Sequence, residues 1–139
     1  MFKLNLNNTS KWIFVLSFLF LNTLVLNAQN TNTNKQDSII FNKLEHDYGI
    51  IELGSDGQCE FTFTNKGDAP LILSNVRASC GCTVPQWTRE PVAPGETGTI
   101  KVKYNTKIAG AFNKSITVNS NAVNSNVVLR IKGKVEKSN

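Results

Sequence analysis

Thr99-Ile100-Lys101-Val102-Lys103-Tyr104 decides the fold. Apolar and polar residues alternate along it, the period of a strand with one buried and one wet face. The same period returns downstream, where Phe112, Ile116 and Val118 share a face opposite Asn113, Ser115, Thr117 and Asn119. Val127, Leu129, Ile131 and Val135 then alternate with Val128, Arg130, Lys132 and Lys134. Upstream, Cys59, Phe61 and Phe63 point one way while Glu60, Thr62 and Thr64 point the other. Leu71 to Ala78 reads as a further strand, and Ile39 to Leu44 and Tyr48 to Ile51 flank a kink expected at Glu45-His46-Asp47. Turn residues separate these runs at Gly54-Ser55-Asp56-Gly57 and Asn65 to Pro70, and the two prolines of Pro91 to Glu96 keep that loop out of a sheet interior. No long helical period follows Asp37. The expectation is an all-β chain, an immunoglobulin-like antiparallel β-sandwich of about seven strands, preceded by a signal peptide. The antibody-type Cys-Trp-Cys pattern is absent, so the likeness is one of architecture.

The signal peptide is read from Lys3 and Lys11, the apolar run Trp12 to Leu26, and Ala28 before Gln29. The run is shorter than the roughly 20 apolar residues of a membrane span, and the first cysteine is Cys59, so no retained or lipid anchor is expected. Residues 1–28 are assigned to this segment, 29–37 to a polar disordered leader, 38–136 to one domain and 137–139 to a short tail. Without Lys3 and Lys11 the chain keeps 13 basic against 10 acidic residues, so its net charge falls from +5 to +3. The remaining basic residues alternate with apolar ones instead of clustering, which argues against nucleic-acid binding. No further sorting segment is expected beyond Asn139, so the expected location is periplasmic or secreted, with the periplasm preferred.

Chemistry, if any, starts at Ser79-Cys80-Gly81-Cys82-Thr83. In an oxidising compartment one pair among Cys59, Cys80 and Cys82 should bridge, with Cys59 to Cys80 or Cys82 the expected pairing and one thiol left over. A bridge within Cys80-Gly81-Cys82 would be strained and redox-active. Two thiolates at that spacing would also suit Cu(I) held by Cys80 and Cys82; zinc fits less well, since only three cysteines and one histidine are present. A purely structural bridge is the plainest alternative. His46 between Glu45 and Asp47 lacks a nucleophile to serve, and Asp47 is expected to bond backbone amides at the kink. No phosphate-binding loop, calcium loop or nucleophile elbow occurs, so an enzyme is not expected. Trp87 either walls a small site or covers the edge of the core. Ser38, in Asp37-Ser38-Ile39, matches an O-glycosylation pattern of exported proteins.

Phe41, His46-Asp47-Tyr48-Gly49-Ile50, Phe61 to Gly67, Pro70-Leu71, Ser79 to Thr83, Pro94-Gly95-Glu96 and Leu129 to Val135 together resemble the DUF1573 family. The resemblance covers nearly all of the chain beyond the leader. It implies an exported bacterial protein, common in the Bacteroidetes, with a sandwich similar to major-sperm-protein and ASH/Hydin-type domains and no established activity. The reading is therefore a non-enzymatic binding or structural module of the cell envelope without a cofactor, whose partner is another envelope protein or peptide. Its expected binding surface is Cys80, Gly81, Cys82, Thr83 and Trp87. The alternative is a periplasmic thiol protein that binds Cu(I) or exchanges disulfides through Cys80 and Cys82.

Overall fold

The computed structural model describes residues 38–138; the segments expected to be a signal peptide and a polar leader lie outside them. Among the described residues eight strands form: β1 (Ile39–Phe41), β2 (Glu45–Glu52), β3 (Gln58–Asn65), β4 (Leu73–Ala78), β5 (Thr83–Trp87), β6 (Thr97–Tyr104), β7 (Gly110–Ser120) and β8 (Asn126–Glu136). They make two four-stranded sheets, ordered β1-β3-β6-β5 and β2-β8-β7-β4. Among the described residues no helix is long and apolar enough to cross a membrane.

Alternation places the core. Phe61, Phe63, Ile100 and Val102 from one sheet, and Ile116, Val118, Leu129, Ile131 and Val135 from the other, are all at most 1% exposed. Their polar neighbours in sequence face water, as the period of two requires. Gly98 lies opposite Phe63 on the adjacent strand, and a Cβ there would run into the Phe63 ring, so the missing side chain is what lets that ring lie flat against β6.

The sandwich departs from the expected antiparallel arrangement at one pairing. β2 runs parallel to β8, from Glu45 opposite Arg130 to Glu52 opposite Glu136. The chain breaks at Asn42–Leu44 rather than at Glu45-His46-Asp47: after pairing β1 with β3 it crosses to the other sheet, where the Arg130 amide donates to the Leu44 carbonyl at 2.8 Å. The Lys132 ammonium then sits 2.6 Å from Glu45 and 3.7 Å from Asp47, so the acidic residues that read as a kink hold an edge strand in register. The real irregularity falls one step later, at a bulge between Asp47 and Ile50. Gly49 has φ 63° there, and the Asp47 carboxylate accepts its N–H at 2.8 Å.

Two further features went unread in the sequence. β5 is an edge strand with Pro85 at its centre, where a residue without an N–H is tolerated. The Asn65 side chain, 1% exposed, donates to the carbonyls of Ala69 and Val92 and accepts from the Gly67 amide, tying two loops to the end of β3.

Candidate functional site

The chain leaves β4 in one sheet and enters β5 in the other through Ser79–Cys82. This turn is held from both sides. The Ser79 amide donates to the Ser115 carbonyl at 2.9 Å and the Ser115 amide to Ser79 Oγ at 3.2 Å, while the Asn105 amide donates to the Cys82 carbonyl at 2.8 Å. Because β4 ends at Ala78, the segment does not continue extended, and Cys80 and Cys82 do not extend the buried face of Val76.

Cys80 and Cys82 are joined by a disulfide, and Cys59 is a free, buried thiol. The expected bridge from Cys59 is ruled out by topology. Cys59 on β3 faces Val102 on β6, which in turn faces Pro85 on β5, so a whole strand stands between Cys59 and the turn. Two strand spacings are about 10 Å, beyond the roughly 7 Å limit between the Cα atoms of a bridge. Burial pushes the Cys59 thiol up, opposed in part by Tyr48 and Lys43. Burial, and then Cys59 beside it, push the Tyr48 phenol up as well; its hydroxyl donates to the Gly57 carbonyl at 2.8 Å.

The five residues expected on the binding surface do not share one surface. Gly81 is exposed, and Cys80 and Cys82 are half-buried. Thr83, on the inner face of β5, is only 3% exposed and lies under the bridge, with Oγ1 3.8 Å from Cys80 Sγ and 3.9 Å from Cys82 Sγ. Trp87 packs against the core, the guanidinium of Arg89 lies 3.6 Å from its ring centre, and its indole N–H is buried without a hydrogen-bond partner among the described residues. It covers the core edge.

The surface beside the turn is formed by Gly81 and Cys82 together with residues that sequence reasoning missed. On the outer face, Val84 of β5 is 55% exposed opposite Lys103, and Gln86 stands opposite Lys101. With Gln58 they line a shallow depression of about 300 Å3, and a second one, lined by Gly81, Cys82, Val84, Lys103 and Asn105, continues it to the disulfide. No local pattern signalled it, because Val84 lies between Thr83 and Pro85 in the sequence and meets Lys103 only through the pairing of β5 with β6.

His46 lies on the edge strand β2. Burial and the Lys43 ammonium, 3.2 Å from Nδ1, hold its pKa down against Asp47, and its ring packs edge-on against Tyr48. Among the described residues no three His, Cys, Asp or Glu side chains gather as a metal site would require. While bridged, Cys80 and Cys82 present no thiolate to Cu(I). Ser38 immediately precedes β1, half-buried, and its carbonyl accepts the Lys66 amide at 2.9 Å.

Comparison with known proteins bears on this architecture. A Porphyromonas gingivalis protein of unknown function is similar at 14% identity and a TM-score of 0.65, over 78% of this chain and 51% of that one. ASH/PapD-like domain 7 of human CEP192 is similar at 9% identity and a TM-score of 0.58, over 76% of this chain and 89% of the domain. The VesB protease of Vibrio cholerae matches at 18% identity and a TM-score of 0.58, over 73% of this chain. This chain spans about half the Porphyromonas chain and a third of VesB, and at these identities the likeness is one of fold. No curated protein matches the sequence. The model of a family described as proteins of unknown function matches residues 39–135, so the chain belongs to the DUF1573 family.

Proposed function

We propose that this domain is an exported, non-enzymatic binding module of the bacterial cell envelope, and that it takes an extended segment of another envelope protein along the outer face of β5 and β6. The observation that carries this reading is the depression around Val84: an exposed apolar residue with Lys101 and Lys103 beside it, neither of them within ion-pair distance of a carboxylate among the described residues. Such a floor and rim fit an extended strand with alternating apolar and acidic side chains. The PapD-like likeness is consistent with a protein-binding role. Photo-crosslinking from position 84 in the intact envelope tests it. A discrete adduct with one envelope protein, lost when Lys101 and Lys103 are changed to Glu, is expected; the same adducts from Thr117 on the other sheet would refute it.

A second reading, a thiol protein that exchanges disulfides, is favoured by the bridge itself, which lies in a partly exposed turn. Cu(I) would bind only after this bridge is reduced. O-glycosylation at Ser38 would add mass to native material, and a single unmodified mass would refute it.

A further inference from the structure

Thr83 has a buried hydroxyl whose hydrogen-bond partners, among the described residues, are the two bridged sulfurs alone. A disulfide carries no proton, so the hydroxyl must be the donor, and a neutral sulfur is a weak acceptor. Buried polar groups ordinarily find better partners than this. A thiolate in the same place would be one, because a hydrogen bond to a full charge is roughly twice as strong as a neutral one. Oγ1 is nearly equidistant from Cys80 and Cys82, so it can serve whichever sulfur leaves.

We propose that Thr83 is a positioning residue for a reversible dithiol–disulfide couple at Cys80 and Cys82, donating a hydrogen bond to the thiolate that forms when a partner thiol opens the bridge. The inference rests on the disulfide-exchange reading. A thiolate of the partner attacks one sulfur of the bridge; the sulfur–sulfur bond breaks, a mixed disulfide forms, and the bond's electron pair leaves on the other cysteine as a thiolate facing Thr83. A second partner thiolate then attacks the partner's sulfur in the mixed disulfide and releases the second cysteine. Two electrons and two protons pass from the partner's two thiols to Cys80 and Cys82, and the partner leaves as a disulfide. Cys59 cannot intercept the intermediate, because β6 separates it from the turn.

The partner chemistry is a thiol, whether on a small molecule or a protein. Glutathione and a reduced cysteine-bearing peptide are the two probes, and reduction by the peptide alone would assign the partner to proteins. The protein, purified without reductant, is equilibrated with each probe at set ratios of thiol to disulfide, then alkylated and weighed. Thr83→Val is expected to shift the equilibrium about tenfold toward the bridge, which is about 30 mV for a two-electron couple. In the reduced protein it is also expected to raise the pH at which the more acidic of the two thiols alkylates; Thr83→Ser should restore both values. Exchange with equal equilibrium constants and alkylation profiles in wild type and Thr83→Val would overturn the role of Thr83 alone. A bridge that neither probe opens in the folded protein would overturn the exchange reading with it. If Thr83→Val does not fold, the alkylation profile of reduced wild type decides: one thiol more acidic than an ordinary cysteine supports the proposal, and two ordinary thiols refute it.

Discussion

On β3, Cys59 faces the core beside Phe61 as a buried free thiol; beyond the intervening strand β6, Cys80 and Cys82 stand half-buried in a turn, bonded to each other. The first site is governed by packing and desolvation. The second is a local covalent link between residues two apart. In the chain-entropy model a loop that short contributes about 1.6 kcal/mol, whereas a Cys59–Cys80 bridge would have contributed about 3.4 kcal/mol. The short bridge therefore contributes less to stability than a longer loop would, while the face that Cys59 shares with Phe61 and Phe63 is buried in the core. The disulfide-exchange reading requires that the bridge open without the sandwich coming apart.

Substitutions can break or sharpen this contrast. Phe61→Ala, next to Cys59 on the wholly buried face, should cost about 3–5 kcal/mol, read as a lower urea midpoint. Gly98→Ala should cost about 1–3 kcal/mol by driving a methyl into the Phe63 ring, and Phe63→Leu in the same chain should recover part of that loss. Replacing Cys80 and Cys82 together by Ser should cost no more than about 1.6 kcal/mol and leave the circular dichroism of the folded state unchanged. A loss as large as that of Phe61→Ala would abolish the distinction between the two regions.

The smallest expected effect is a pH dependence. Burial raises the Cys59 pKa in the folded state above the ordinary 9.0, so the folded protein holds that proton more tightly than the unfolded chain does. The associated stability is fully present below pH 9.0 and is lost as pH rises through the folded-state value. Urea midpoints should rise slightly as pH climbs past the ordinary His46 value of 6.5, stay level toward pH 9.0 and fall in the alkaline range. Cys59→Ala should flatten that fall in part, the rest coming from Tyr48, Tyr104 and Lys132, whose pKa values are raised as well.

The strands β3, β6, β7 and β8 were legible because each alternates over a length sufficient to show which face is buried. β5 was not, since Pro85 in a five-residue run reads as loop and only its place at a sheet edge makes it a strand. The parallel placement of β2 rests on its ladder with β8, more than eighty residues away, where Lys132 meets Glu45 and Asp47, and no local pattern announces that pairing. At the site, the sequence singled out the cysteine turn but not its pairing, because connectivity depends on which strands lie between. Thr83 was expected at a surface; β5 turns it inward, and that places its hydroxyl beneath both sulfurs.

Alkylation mapping by mass, on protein purified without reductant, tests the contrast most directly. In the native protein no cysteine should react; after mild reduction Cys80 and Cys82 should react while Cys59 stays protected until the protein is unfolded. Recovery of Cys59 in a bridge, or alkylation of Cys59 before Cys80 and Cys82, would contradict the account.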